Sequence, residues 1–487
     1  MKDNLKAKVK NAFIWDFFGK LSINTSGFII SIFLARLLEP SDFGLVGIPI
    51  AIIGIAWTFY DMGLSGTLIQ KKRVLPIHYS SVFFINIFMG LFLTIVTYLL
   101  SNSIASFYND DRLVLIIKVI SIYFILSAFP LIYIVILKRE LRFKELAKIS
   151  FISSIIGGVV GVLLAYNNFG VWSLISQQLL TAIINGIFFY KISKYKVEFK
   201  FSIKALLYLW KFGFRIFLSS IIDNIFKRID LMIIAKLFTP TTLGFFQRAK
   251  SLDTMIITYS SGTILSVLMP VLSKIKNNLP VFQSVIVKAL GLVTFVSFFL
   301  SGLFFLISKE LIVVLFGDKW LISVGFFQIL VLVSFISPIS SLLSIILISR
   351  GKSKIFLKLE IYKKIILSMN LFIVFIWGIY GYLYGFVIAS ILSLYLTTYF
   401  ASIEIKLSKQ VLFKPIIIEL IITFISTFSI YILNLDSSLS DVLILIIKSA
   451  EFLILYVFLN HIFKVTSYQF FINEVNQMYN KLRKNKN

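Results

Sequence analysis

Long apolar runs, separated by short charged or turn-forming segments, follow one another along almost the whole chain. A run of roughly 20 apolar residues spans the hydrocarbon of a bilayer as a helix. Backbone in lipid must satisfy its own N–H and C=O groups, so only helices and closed barrels cross it. Barrel strands would alternate apolar and polar positions, whereas these runs are continuous, and the chain reads as an all-α polytopic membrane protein. Spans are predicted near 13–38, 43–70, 80–100, 113–137, 148–167, 170–191, 206–238, 243–272, 284–308, 321–349, 357–378, 382–402, 412–434 and 441–463, about fourteen by the length rule. Composition agrees: with 59% hydrophobic residues, 51 Phe and only 14% charged residues, no soluble fold could cover this surface with polar groups.

Charge orients the bundle. Basic residues crowd the N-terminus (Lys2, Lys6, Lys8, Lys10) and every second connection: Lys71-Lys72-Arg73, 138–148, 191–204, Lys274 with Lys276, 350–358, 406–414 and the 481–486 tail. By the positive-inside rule these ends are cytoplasmic. The intervening loops carry Glu39 and Asp42, Asn109-Asp110-Asp111, Asn167-Asn168 and Asp436 with Asp441, with scattered bases such as Arg112 and Lys319. Both termini are expected on the cytoplasmic side, as an even number of spans requires. The first apolar segment holds Asp16 and Lys20 and lacks a small-residue cleavage site, so it reads as a retained helix.

The chain also repeats itself. Ala35-Arg36-Leu37-Leu38-Glu39-Pro40 and Gly44 recur as Ala235-Lys236-Leu237-Phe238-Thr239-Pro240 and Gly244, a displacement of 200, and Asn24 falls opposite Asn224. Pro and Gly favour any helix–turn–helix joint, but several matches at one offset argue for duplication, the plan on which many secondary transporters build a site at the midplane. The expected organisation is a six-helix lobe over 1–200, a second over 201–405, an appended helix pair over 406–463 and a basic cytoplasmic tail over 464–487.

Polar groups within the spans are concentrated. The seventh predicted helix carries Arg215, Ser219, Asp223, Lys227 and Asp230 at steps of four, four, four and three, which places them on one face. An ionised group near the bilayer centre costs roughly 3 kcal/mol on the lenient insertion scale, so this stripe must face a cavity or partners. Arg228 lies off it and is directed towards a neighbouring helix or the outer interface. The eighth helix offers Arg248 and Asp253, the first Asp16, Lys20 and Asn24, the second Asp61. Ion pairs that merely fix helix register would explain the same residues. Ser334, Ser337, Pro338, Ser340, Ser341 and Ser344 mark the tenth helix as a hinge or cavity wall, and Pro130 sits in the corresponding fourth.

Other chemistry is excluded or disfavoured. There is no cysteine, so no disulfide or thiolate site forms, and the two histidines, His78 and His461, have no matched ligands for a metal. No loop is long enough for a nucleotide-binding motor and no GxxxxGK[ST] motif occurs, so no cofactor or ATP hydrolysis is expected. The net charge of +26 is spread over short loops, which fits anionic lipid head groups better than nucleic acid.

Residues 35–44 with Phe59-Tyr60-Asp61-Met62-Gly63-Leu64-Ser65-Gly66-Thr67-Leu68-Ile69-Gln70 resemble the opening hairpin of bacterial polysaccharide transporters, the Wzx-type flippases of the multidrug/oligosaccharidyl-lipid/polysaccharide exporter superfamily. The second copy resembles them through Lys227-Arg228-Ile229-Asp230 and Leu243-Gly244-Phe245-Phe246-Gln247-Arg248-Ala249. That resemblance implies a V-shaped bundle of two pseudo-symmetric lobes. It also implies transport of undecaprenyl-pyrophosphate-linked oligosaccharide to the outer leaflet of a bacterial or archaeal cytoplasmic membrane, for lipopolysaccharide O-antigen, capsule or exopolysaccharide. Arg36, Asp61, Arg215, Lys227, Asp230 and Arg248 match its motif or cavity positions. No catalytic residue is expected; coupling to a proton or sodium gradient, contact with polymerase machinery and a monomeric state are. The rival readings are a multidrug antiporter of the same superfamily, an integral-membrane polymerase or glycosyltransferase using Glu39 and Asp42, and a structural scaffold. Short outer loops disfavour the enzyme, because Ser41 or Asp42 serves better as a helix cap.

Overall fold

The computed structural model describes the backbone of residues 2–71, 73–432 and 439–473, and side chains within these except at 2–13, 211, 212, 215, 216, 219, 259, 261–267 and 270. All regular structure among the described residues is helical. The chain divides into two compact units, Met1–Gln247 and Arg248–Asn487.

The first unit holds α1 (Lys2–Leu37), α2 (Pro40–Asp61), α3 (Leu64–Gln70), α4 (Pro76–Leu99), α5 (Ser101–Tyr108), α6 (Arg112–Ile120), α7 (Ile122–Ala128), α8 (Leu131–Arg139), α9 (Phe143–Tyr166), α10 (Val171–Ser193), α11 (Ile203–Leu237) and the start of α12 (Pro240–Ile275). α1 runs along α9, α9 along α10, and α11 along α2. Small residues let these backbones approach: a Cβ on Gly157 of α9 would lie 2.9 Å from the Gln177 carbonyl of α10, and one on Gly161 would lie 3.3 Å from that of Ser173. The second unit holds the rest of α12, α13 (Leu279–Leu306), α14 (Ser308–Phe316), α15 (Ile322–Ser334), α16 (Ile336–Ser349), α17 (Ser353–Ile405), α18 (Lys409–Ile432) and α19 (Asp441–Ile462). Its core sets Leu290 and Val293 of α13 against Leu342, Leu343 and Ile346 of α16 and Ala401 of α17.

Eleven of the described helical segments are long and apolar enough to span a membrane. Their outer faces carry bare apolar side chains, such as Phe372, Ile376 and Trp377, each at least 70% exposed. Such a surface suits lipid and not water, and the protein is a multi-pass membrane protein. α11 and α12 include side chains outside the described residues and are not among the eleven. α17 counts once, although Gly378, at φ 65°, interrupts its helical backbone where two spans were expected to meet. The expected span 43–70, in contrast, is not one helix: Met62 and Gly63 take left-handed φ values of 49° and 69°, and α2 ends at Asp61. Two interior prolines lie beside interruptions of helical hydrogen bonding. The tenth predicted helix breaks into α15 and α16 at Phe335, one turn before Pro338, and the fourth breaks between α7 and α8 beside Pro130.

Basic connections hold helix ends. Arg139 Nη1 donates to the carbonyl of Leu68, under a short contact, and to that of Lys71 at 2.8 Å. Arg142 ties Glu140 (3.1 Å) and Glu145 (3.2 Å) to the Ile192 carbonyl at 3.0 Å. Such capping of free carbonyls by cations near helix C-termini is favourable. Residues 466–473, at the start of the expected tail, form a further helix whose Tyr468 and Phe471 rings lie 5.9 and 5.2 Å from that of Phe295. Residues 474–487 lie outside the described residues.

Candidate functional site

The two copies of the repeat build the same joint. In the first, Glu39 is the N-cap of α2 and Asp42 reaches back to its amide at 3.1 Å, a reciprocal capping box. In the second, the Thr242 amide donates to Thr239 Oγ1 at 3.3 Å, at the positions 200 residues on. The carboxylates proposed for an enzyme are thus engaged in helix starts, with Glu39 the cap and Asp42 its partner. The copies also meet reciprocally: a Cβ on Gly44 would strike the Pro240 carbonyl, and one on Gly244 would strike that of Pro40. The register shared by the copies is a contact register, in which each glycine makes room for the other copy's helix start.

The charged residues anticipated for a cavity sort into three groups. Asp16 and Lys20 pair at 2.6 Å on an exposed face of α1, with Asn24 exposed one turn further, and Asp223 and Lys227 pair at 2.7 Å on an exposed face of α11. Arg36 is exposed in the last turn of α1, and the Arg215 side chain lies outside the described residues. Half-buried groups close onto their own surroundings: Asp230 Oδ1 accepts from the Leu231 amide at 2.8 Å, and Asp61 sits at the end of α2 beside Ser65. In the second unit, buried Arg248 places its guanidinium over the Phe316 and Trp320 rings, 4.6 and 5.1 Å from their centroids. Buried Asp253 accepts a short hydrogen bond from Ser334 Oγ. Lys448 takes its partner across helices, reaching Glu310 of α14 at 2.6 Å rather than its neighbour Glu451.

A cavity of about 630 Å³ opens inside the first unit among α2, α7, α8, α9, α10 and α11. Arg228 enters it from α11. Its guanidinium lies against Gly54, where any Cβ would displace it, and Nη1 donates to the Ile50 carbonyl at 3.2 Å. One turn before it, Asn224 donates to Thr58 Oγ1 of α2 at 2.9 Å. The rest of the lining is uncharged: Gln177, Gln178, Thr181 and Asn185 of α10, Ser150 and Ser154 of α9, and the rings of Trp57, Tyr60 and Tyr123. Asn185 Oδ1 is buried without a hydrogen-bond partner. Amides offer both donors and acceptors, and rings present apolar faces beside them. The lining therefore suits a neutral, hydroxyl-rich ligand, with one fixed cation for an anionic group.

A sequence-family profile described as "Polysaccharide biosynthesis protein" matches residues 33–325. The chain belongs to that family. The likeness to Wzx-type transporters read from residues 35–70 and 227–249 accords with it. The chain is 27% identical over 434 residues to an uncharacterized membrane protein of the cps region of Klebsiella pneumoniae, covering 87% of this chain and 86% of that one. It is 22% identical over 369 residues to the lipopolysaccharide biosynthesis protein WzxC of Escherichia coli K12, covering 74% of each. Among solved structures, the lipid II flippase MurJ in an inward closed conformation matches with a TM-score of 0.72 at 16% identity, over 92% of this chain and 99% of that one. At that identity the match speaks for the fold.

Within this family member, the charge-led reading reached Arg228 but not the cavity it enters. A signal was present. Gln177, Thr181 and Asn185 stand at four-residue steps, as do Ser150 and Ser154, the same spacing that marked the α11 stripe. These groups are neutral, and Ser, Thr and Gln are tolerated in membrane helices for packing alone, so spacing without charge did not single them out.

Proposed function

We propose that this protein carries undecaprenyl-pyrophosphate-linked oligosaccharide repeat units from the inner to the outer leaflet of a bacterial or archaeal cytoplasmic membrane, by alternating access, for O-antigen, capsule or exopolysaccharide assembly. Family membership supports the class of substrate. The single observation that carries the reading is the cavity of the first unit, where amides, hydroxyls and aromatic rings surround one guanidinium. Sugars match the neutral lining, and Arg228 is placed for a uronate or a phosphate.

The exposed pairs supply the second element. Lys20 and Lys227 are each held by a carboxylate four residues earlier, Asp16 and Asp223. Exposed pairs of this kind are worth about 0–1 kcal/mol, so a pyrophosphate exchanges with the carboxylate at little cost, and the carboxylate takes the lysine back after release. We take α11 and α12 as spanning too, and the two halves of α17 as separate spans, which gives fourteen crossings and leaves both termini in the cytoplasm. The lobes follow the repeat, 1–200 and 201–405, with 406–463 appended. Transport proceeds without ATP hydrolysis by this chain, which acts as a monomer beside polymerase machinery.

The test is the sidedness of lipid-linked oligosaccharide in cells depleted of the protein. Accumulation of an intact lipid-linked unit in the inner leaflet is expected, and its composition identifies the sugar. An unchanged pool with altered drug sensitivity would move the assignment to a drug antiporter.

A further inference from the structure

Glu419 lies in α18, ten residues and so about 15 Å from the helix start, and its side chain is fully buried, at 0% exposure. The helices packed on α18 are α13, α17 and α19. Around the carboxyl stands an aromatic layer: Phe295 and Phe299 of α13 and Phe452 and Tyr456 of α19, with centroid separations of 5.4 to 5.8 Å. An unpaired carboxylate in such a layer is costly. Among the described residues no cation pairs with it. On α19, Lys448 is held by Glu310 at 2.6 Å, His461 abuts the Tyr468 ring at 6.0 Å, and Glu451, five residues before Tyr456, points about 140° away around the helix. On α13, Lys288 lies over the Phe470 ring at 4.9 Å; on the second half of α17, Glu404 pairs with Arg350 at 2.6 Å, and Tyr395 and Tyr399 attend Lys409. Among the described residues, the titratable group that faces Glu419 is Tyr456.

The hydrogen bonds around that pair leave room for one proton. The Tyr456 hydroxyl lies 2.7 Å from Glu419 Oε2 and 2.9 Å from the Phe295 carbonyl oxygen. A hydroxyl carries one proton and donates once. If it donates to the Phe295 carbonyl, the contact with Glu419 is closed only by a proton on the carboxyl. If the carboxyl is ionised, the hydroxyl proton turns to it instead. Asn460, also fully buried, donates to the Tyr456 carbonyl at 3.0 Å and lies beside the carboxyl, while Thr423 stands one turn from Glu419, next to the same hydroxyl. Glu419 Oε1, Thr423 Oγ1 and Asn460 Oδ1 have no hydrogen-bond partner.

We propose that Glu419 and Tyr456 form a proton-binding site in the helix pair outside the repeat, loaded and emptied as the protein works. Loading adds a proton from water to the carboxylate, and the Tyr456 proton swings to the Phe295 carbonyl. Emptying returns a proton to water, and the Tyr456 proton swings back to the carboxylate. Each state keeps the 2.7 Å contact bonded, so the site holds either charge state without moving its heavy atoms. As a coupling site it rests on the flippase reading; as a proton site it does not.

The full-length protein in lipid vesicles is followed by infrared difference spectroscopy while the buffer is moved from mildly acid to mildly alkaline. The expected result is loss of a protonated-carboxyl C=O band on raising the pH, absence of that band in Glu419→Gln, and a shifted frequency and midpoint in Tyr456→Phe. A band that survives in Glu419→Gln overturns the site, as does a band that ignores pH or one that sodium abolishes at constant pH. In cells, a protonophore is expected to reduce wild-type export of lipid-linked oligosaccharide and to leave Glu419→Gln export without further response. A variant that still responds as the wild type overturns the coupling while the infrared result stands. If the lipid-linked pool proves unrelated to this protein, the flippase reading fails and the infrared arm still decides the proton site.

Discussion

The cavity of the first unit and the Glu419 layer of the second handle polar groups in opposite ways. In the cavity, amides and hydroxyls line open space and the one charge, Arg228, is anchored by a backbone carbonyl at 3.2 Å. Around Glu419, rings close over the acid and leave it fully buried with a single hydroxyl to share. Open polar surface is what a large solute needs, because each displaced water is replaced by a sugar hydroxyl. A dry acid is of no use to a large solute but fits a proton. The difference teaches that intramembrane polarity alone does not locate a substrate site; the volume beside it does.

The helix contacts beneath the two sites provide the largest expected effects. A Cβ on Gly157, under the cavity, meets the Gln177 backbone carbonyl at 2.9 Å, which cannot yield without moving α10. A Cβ on Gly302, under the acid, meets the Thr423 methyl and the edge of the Phe452 ring at 2.7 Å, and these are side chains that rotate. Gly157→Ala is therefore expected to cost about 1–3 kcal/mol, the usual toll of overpacking, and Gly302→Ala less. Melting in detergent and abundance in the membrane measure both. A worse loss from Gly302→Ala would reverse this ranking of the two interfaces.

Next in size is Arg228→Met. A charge-assisted contact is worth about 1.5–3 kcal/mol, so export of an acidic or pyrophosphate-linked unit is expected to fall by about ten- to hundredfold. Membrane abundance should hold, and Arg228→Lys should recover only part, since lysine lacks the planar fork. Export that survives Arg228→Met would remove the cavity from the translocation path. Gln177→Leu and Asn185→Leu are expected to act more gently, each removing about 0.5–1.5 kcal/mol of neutral hydrogen bonding, and to change which sugars are carried more than how fast. Competition between two lipid-linked units of different sugar composition reads this directly.

Legibility in the sequence followed what was local. The apolar runs gave the helical class, and the break at Gly378 fell where the spans 357–378 and 382–402 were divided, because a glycine between two full-length runs is a local signal. The break at Met62–Gly63 had a local signal too, Asp61 with Gly63 and Gly66, but the apolar residues on either side are few enough to fit within one long span. The α11 stripe was visible because its members share a helix, and two of them, Asp223 and Lys227, do pair. Glu419 was passed over for the converse reason. Its partner, Tyr456, is 37 residues away on another helix, and no spacing rule within α18 points to it. The same holds for Lys448, whose acid is Glu310 of α14 and not Glu451 one turn on.

The smallest expected effect lies at the surface and sets a floor for the comparison. Arg112 grips Asp110 at both carboxylate oxygens, Nε to Oδ1 at 2.9 Å and Nη2 to Oδ2 at 2.6 Å, in the loop between α5 and α6. These bonds hold the Asp110 carboxyl below its usual range. A lowered folded-state value stabilises the ionised form, so the contribution is complete above the unfolded value of about 3.9 and is lost as the pH falls through the lowered folded value. The Arg112 side chain is 60% exposed, which limits the pair to under about 1 kcal/mol, less in salt. Asp110→Asn is expected to lower the melting temperature slightly at neutral pH and to leave it unchanged in strong acid, where the wild type has lost the pair too. An equal deficit at both pH values would mean that Asp110 acts as a loop former, through the Arg112 amide it accepts at 3.1 Å, and not through its charge.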